Sequence, residues 1–484
     1  MASDTTESSS LFTLSHIATA VITYGICTTI YNFVTAPKPP TSIPWQGYGK
    51  GWIAGIRNFT AVTQSKDWLL EGYAKYNRQG NTFVIPQTLG MPAEIVLPQS
   101  QLRWMFDQPD SVMSTSEGHY DFLQGKYSFV EPIILQDPYH EHVIHKNLVR
   151  NLNAIIPVLA ESVPLAVQQV WGKDTHEWKK MDLLQSFMVT IPRITNDMLL
   201  GKALSQERKF LEAIVSFTDD VIRNLSIMLL VPRVLHPIVG NLCGLSSSYH
   251  YWRASKFTMP AIKQRISDIT KKDAGDAEYK DWQEPSDFIT WSYRTAQADG
   301  RYDEMQPDRI AKRIMPINFA AIHTTAITSY DVLSQILSAG PDVTEKLREE
   351  AYRIFKEEGG WTKQGLSRMY RMDSAIRESQ RIAPLSLTFA GRKVIAKQGI
   401  TTPDGVHIGY GNLVSCPWGP MAADVEYNEN PKVFDAFRFS RAREEYEVMS
   451  AEEKKKVDVL KMKQTGMVTT ATHHLPFGHG RHAW

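Results

Sequence analysis

Long uncharged runs mark the elements this chain builds. Leu11 to Val34 contains no Asp, Glu, Lys or Arg, and at about 1.5 Å per residue an apolar helix of that length crosses the ~30 Å hydrocarbon core of a bilayer. Threonines, Ser15, His16 and Asn32 dilute the run, so a buried or interfacial helix is the alternative reading. From about Asp67 to Arg381 the pattern is mostly helical. Within it, Asp308 to Ala339 reads as one long helix, uncharged from Ile314 to Tyr330, which predicts burial on nearly all sides. Strand-like patches lie at 82–85, 95–97, 387–394 and 406–414, and Pro403-Asp404-Gly405 supplies a hairpin turn before the last of them. Ser226 to Gly240 is apolar but broken by Pro232 and Pro237, too short for a second span; core packing and a surface role both fit it. The expected class is mainly α with a minor β part.

Charge and composition refine this picture. Asp4 and Glu7 precede the first apolar run while Lys38 and Lys50 follow it, which places the body of the chain on the cytoplasmic face. A cleaved signal peptide fits less well, because no basic segment precedes the run. Pro37, Pro39, Pro40 and Pro44 make a stiff extended hinge. The chain of 484 residues is 43% hydrophobic and 22% charged with a net charge of +1, an ordinary globular balance without a nucleic-acid footprint. Cys27, Cys243 and Cys416 are far apart and form no CxxC pair, which argues against a disulfide framework or a zinc knuckle and for a reducing compartment.

Several short patterns carry chemistry. Ala320 and Ala321 remove side-chain bulk from the long helix, His323 and Thr324 follow, and the threonine hydroxyl either serves an apolar trough or bonds its own i−4 carbonyl. Gly359-Gly360-Trp361-Thr362 breaks one helix and caps another expected to run to Arg381. On that second helix Glu378 and Arg381 share a face at i, i+3. Downstream, Arg438 is flanked by Phe437 and Phe439. The last stretch, Phe477-Gly478-His479-Gly480-Arg481-His482-Ala483-Trp484, joins two glycines suited to positive φ and close backbone approach with a basic pair that can reach carboxylates.

Taken in this order, the Glu-x-x-Arg helix, the aromatic-flanked arginine and the glycine loop resemble the cytochrome P-450 superfamily. The resemblance implies that fold and a buried ion network of Glu378, Arg381 and Arg438 supporting the haem loop. Phe477, Gly478, Gly480 and His482 belong to that loop; Ala320, Ala321 and Thr324 face the cofactor, with Thr324 steering protons and His323 standing where the family has an acid. His145, on a helix from His140 to Lys146, takes the place of a basic residue that holds a haem propionate. The implied cofactor is heme b and the implied partners are an NADPH-dependent flavoprotein reductase, a membrane and a hydrophobic, terpenoid-type substrate of fungal secondary metabolism, oxidised by inserting one atom of dioxygen.

The implied layout is an anchor at 11–34, a hinge at 35–46 and a body at 47–484 on the cytoplasmic face of the endoplasmic reticulum, crossing the membrane once. One departure stands out: the ligand cysteine of the loop is replaced by Trp484, whose indole N–H only donates. The expectation is a truncated P-450 lacking both the cysteine and the helix after it, as a retained intron at codon 484 would produce. The alternatives are a non-catalytic membrane-bound pseudoenzyme that competes for reductase or partners, and a soluble helical binding protein.

Overall fold

The computed structural model describes residues from 37 onward except 50, 51, 61, 88–90, 460, 461, 463 and 484, with isolated positions before 37. The expected anchor at 11–34 falls largely outside the described residues, and so does Trp484. The proline-rich stretch expected as a hinge is described from Pro37 on, and it is bonded to the body. Asn412 Nδ2 donates to the Lys38 carbonyl at 3.4 Å, and Pro44 and Gln46 exchange backbone bonds with Val84 at 2.9 and 3.0 Å.

Helices dominate. In chain order the ones that position the site are α1 (Ser65–Lys75), α2 (Gln99–Asp107), α3 (Thr115–Phe122), α4 (Tyr139–Asn147), α5 (Leu152–Trp171), α6 (Leu183–Leu200) and α7 (Arg208–Leu230). They continue with α8 (His236–Asp273), α9 (Phe288–Ala298), α10 (Pro307–Ser338), α11 (Pro341–Glu358), α12 (Tyr370–Ile382) and α13 (Trp418–Ala422). The strands are β1 (Phe83–Ile85), β2 (Glu94–Val96), β3 (Met113–Ser114), β4 (Phe389–Val394), β5 (Ile400–Thr401), β6 (His407–Ile408) and β7 (Leu413–Cys416). Five of them form a mixed sheet in the order β1-β2-β7-β4-β3, where β2 and β7 run parallel and the other neighbours antiparallel; β5 and β6 form a separate hairpin.

Local signals explain most boundaries. Pro307 opens α10 with Asp308 in its first turn, and Gly340 follows its end at φ 98°. Gly359 closes α11 in the left-handed region at φ 69°. Thr362 does cap a helix, through Gly365 N, but that helix stops at Ser367 and α12 begins separately at Tyr370, so the single helix expected from 362 to 381 is two. The strand expected at 406–414 is also two, because Gly409-Tyr410-Gly411 turns the chain between β6 and β7, with Gly411 at φ 82°.

The main core lies among α4 to α10, around Phe129, Phe210, Phe217, Phe288 and Ile314. A second core under the sheet gathers Ile95, Leu97, Leu102, Met105, Val414, Cys416, Trp418 and Leu475. Burial of α10 is less complete than its composition predicts: residues 310 to 318 are enclosed except for the half-buried Lys312, whereas Thr324 and Thr325 are exposed. Among the described residues one helical stretch, Tyr139–Trp171, is long and apolar enough by length and composition to cross a membrane, with mean hydropathy 1.3. Its Val143 and Ile155 sit in the main core, which accounts for part of that apolarity.

Polar groups enter these cores in pairs. Arg313 and Glu304, both nearly inaccessible, make two hydrogen bonds of 2.6 and 3.0 Å, and Asn196 of α6 donates to Asn318 of α10 at 2.8 Å. His140 is one of several buried polar residues with an unpartnered atom, here Nδ1. Burial, with the Arg313 charge beside it, pushes its pKa down to about 3. In the unfolded chain a histidine takes up its proton near pH 6.5, before the folded form can. The contribution is therefore present above pH ~6.5 and lost as the pH falls toward 3. Urea titrations at pH 7.5 and 4.5 should show His140→Gln losing less stability on acidification than the parent chain, the difference approaching ~1.4 kcal/mol per pH unit; equal slopes would contradict the assignment.

Candidate functional site

The site is assembled on α12. Its sequence places Glu378 and Arg381 on one face, and the structure closes that pair completely: Arg381 Nε and Nη2 donate to the two Glu378 oxygens at 2.8 and 2.7 Å, with both side chains at 1% exposure or less. Arg438 Nε donates to Glu378 Oε2 at 3.0 Å, and the Asp435 amide to Oε1 at 3.1 Å. The three residues therefore meet. Their remaining donors go to backbone carbonyls of Ala422 and Pro431 from Arg381, and of Glu429 and Val433 from Arg438. The network thus fixes the segment from 422 to 438. It does not touch the glycine loop.

The adjacent face of α12 holds the segment that leads into that loop, through residues the sequence reading did not single out. Both Asp373 carboxylate oxygens accept the Met467 amide at 3.0 Å, and Arg377 Nη1 donates to the carbonyls of Gly466 and Thr469 at 2.5 and 2.9 Å. Arg377 lies 4.8 Å from the Phe439 ring centroid. Burial lowers its pKa to about 10. Beyond this anchor Leu475 inserts into the sheet core and His474 packs edge-on against Trp418 at 5.2 Å. Desolvation keeps His474 far below the ordinary histidine range, hence neutral.

The loop then turns as its glycines predict, Gly478 at φ 75° and Gly480 at φ 76°, and ends in a short 3-10 turn from Gly480 to His482. Phe477 is half-buried, and the His479 ring packs edge-on against Phe106 at 5.1 Å while its Nδ1 meets Thr470 Oγ1 at 2.9 Å. Arg481 donates to the Gln108 carbonyl, and His482 Nε2 lies 2.7 Å from Asp110 Oδ1.

A basic cluster surrounds this turn. Arg392 of β4, 1% exposed, donates to the carbonyls of Met105, Phe106 and Gln108 at the end of α2, with no carboxylate within ion-pair distance among the described residues. Burial lowers its pKa, and the Arg481 charge adds to the effect. His119 of α3 and His145 of α4 are both held down by burial first and then by the His482 charge, so the structure brings His145 into the neighbourhood of the loop. His119, Arg392 and Asp110 were not visible as site residues in the sequence.

On α10, Ala320 and Thr324 fall on one face, and Thr324 Oγ1 donates to the Ala320 carbonyl at 2.6 Å, the self-satisfying choice of a mid-helix threonine. Ala321 is half-buried. His323 points elsewhere: its Nε2 meets Asp219 of α7 at 2.9 Å, on the wall of a cleft of about 1420 Å³ that also includes Arg193, Ile327 and Tyr330. His323 and Thr324 therefore serve different surfaces.

The fit of this donor set to a haem is divided. Arg392, Arg481, His482 and His145 suit the two carboxylates of a porphyrin. The iron side does not fit. Position 484 lies outside the described residues and carries tryptophan, while Cys416 is enclosed in β7, where burial pushes its thiol well above the ordinary range.

A family model described as Cytochrome P450 matches residues 136–483. The chain is 28% identical over 465 residues to Cytochrome P450 monooxygenase pbrC of Penicillium brasilianum, covering 95% of this chain and 84% of that protein. Similar matches are Cytochrome P450 monooxygenase astC of Aspergillus terreus, at 27% with 95% and 85% covered, and Cytochrome P450 monooxygenase 71 of Postia placenta, at 28% with 95% and 86%.

Removing one partner of the α12 network strands a buried charge. Glu378→Gln is expected to cost about 3–5 kcal/mol in urea unfolding, whereas Glu345→Gln, which removes an exposed partner 3.8 Å from Arg348, should leave the midpoint unchanged. Equal effects would show that the enclosure of Glu378 carries no special weight.

Proposed function

We propose, for a chain that belongs to the cytochrome P450 family of haem-thiolate monooxygenases, that the gene encodes an enzyme oxidising a hydrophobic, terpenoid-type intermediate of fungal secondary metabolism. The observation that carries the reading is the closed Glu378, Arg381 and Arg438 network, one helix face away from the residues that hold 466–469, the stretch leading into the glycine loop. In this reading heme b is the cofactor and an NADPH-dependent flavoprotein reductase supplies the electrons. Bound through a thiolate, the haem supplies dioxygen cleavage. The chain's own residues supply the rest: Arg392, Arg481, His482 and His145 hold the propionates, and Ala320 and Ala321 leave room for the ring. The terpenoid assignment draws its support from the Ala-Ala-Ile-His-Thr-Thr stretch at 320–325.

Trp484 gives this reading its test. An indole has no lone pair to give iron, so the enzyme requires cysteine at that codon. Sequencing spliced transcripts across codon 484 should return Cys, and the protein expressed from that message should give the red-shifted Soret band of a thiolate-ligated haem when reduced under carbon monoxide. If every mature transcript reads Trp, the oxygenase reading fails for this product. The second reading then stands, a ligandless body that competes for reductase or partners.

We place the body at the endoplasmic reticulum membrane, on its cytoplasmic face, held by a single span at 11–34 and the hinge at 35–46. A surface feature supports the placement. Leu235, just before α8, and Ile238, Leu242, Leu245, Tyr249 and Trp252 on its start recur at intervals of three and four, all 41–67% exposed, and residues 234 to 252 contain no Asp, Glu, Lys or Arg. Lys256 lies 3.5 Å from the Trp252 ring centroid, an aromatic and basic end suited to a lipid interface. The stretch at 226–240 is divided: Leu230, Leu235 and Ile238 are exposed, whereas Met228, His236 and Gly240 are buried. The full chain should pellet with membranes; without residues 1–36 it should retain weak vesicle binding that Leu242→Glu with Leu245→Glu abolishes. A full chain that stays in the soluble fraction would refute the placement.

A further inference from the structure

The contact between Asp110 and His482 has a use beyond the closing of a turn. Asp110 follows α2 by three residues, and its Oδ1 lies 2.7 Å from His482 Nε2. A carboxylate on one ring nitrogen fixes the orientation of an imidazole and directs its other nitrogen away from the partner. The same turn registers the neighbouring cations: Gln108 O accepts from both Arg481 and Arg392, and Met105 O accepts from Arg392 at 3.0 Å. Three basic side chains, from β4 and from the loop, are thereby indexed to one short segment, 105–110. Asp110 is the only acidic side chain among the described residues that bonds any of them. Its charge is felt across the cluster, lifting the Glu141 pKa after burial has done so and opposing the fall at Arg392.

We infer that Asp110 is a positioning residue for His482, holding the ring as the doubly protonated cation, whose Nε2–H bonds Asp110 and whose Nδ1–H is turned to donate to a porphyrin carboxylate. The inference rests on the reading of the loop as a porphyrin cradle. Asp110 also carries a charge of the same sign as the ligand's carboxylate, which opposes it. The side chain is 49% exposed while His482 is 21% exposed, so the repulsion is screened by water, whereas a charge-assisted hydrogen bond to a held imidazole is short and directional. Positioning therefore outweighs repulsion.

Protoporphyrin IX, free of metal, tests this directly, because it bears both carboxylates and needs no iron ligand. Its binding to the full chain in detergent is read by the change in porphyrin fluorescence. Asp110→Asn is expected to weaken binding about tenfold, Asp110→Glu to recover part of the loss, and Asp110→Asn to have no further effect once His482→Gln is present. Additive losses in the double variant, or an Asp110→Asn chain that binds as tightly as the parent or more so, would overturn the inference while leaving the cradle intact. A parent chain that takes up no porphyrin would sink the cradle reading itself, and the inference with it.

Discussion

A carboxylate without access to water governs much of this structure. Glu378 is fully enclosed, and its charge is admissible only because two guanidiniums and an amide satisfy it. The guanidiniums in turn have donors to spare, and these reach the carbonyl of Ala422 at the end of α13 and those of Pro431 and Val433, which lie outside helix and strand. One turn earlier on the same helix, Asp373 and Arg377 repeat the device for Gly466 to Thr469. Residues 373 and 377 lie one turn apart on a face next to that of 378 and 381, so α12 presents two neighbouring polar faces to two stretches of loop.

This organisation explains why the glycine loop can be shaped without contacting the ion network. The loop's anchors are hydrophobic and local: Leu475 in the sheet core, His474 on Trp418, and the glycines at positive φ. Its basic residues are then registered against the end of α2, whose terminal carbonyls attract cations. Structure and chemistry are handled by different residues on the same stretch.

What the sequence disclosed follows the range of the interactions. The helix start near Asp308, the helix end at Gly359, the turn at Pro403 to Gly405 and the pairing of Glu378 with Arg381 depend on residues a few positions apart, and all were legible to within a residue. The parallel pairing of β2 with β7 joins segments more than 300 positions apart, and Asp110 reaches His482 across 372; no local pattern announces either. For His323 the sequence held no sign of its partner: neighbours on an α-helix point about 100° apart, and His323 meets Asp219 on α7 while Thr324 bonds the Ala320 carbonyl. The continuous helix expected through Arg381 failed for a comparable reason: Ser367 to Met369 carries no strong breaker, and the chain bends there because Glu350 of α11 accepts the amides of Arg371 and Met372, a tertiary bond that outweighs helix propensity.

The residue at 484 separates two properties that usually travel together. Everything that gives the body its shape, from the Glu378 network to Leu475 and the cluster around Arg392, is satisfied within the described residues without an axial ligand. On the reading proposed above, carboxylates would be held by Arg, His and backbone geometry, whereas the oxidation needs a thiolate with electron density to give; the two demands fall on different residues. Family membership is legible in the buried ion network and the loop geometry, both inside the matched residues 136–483.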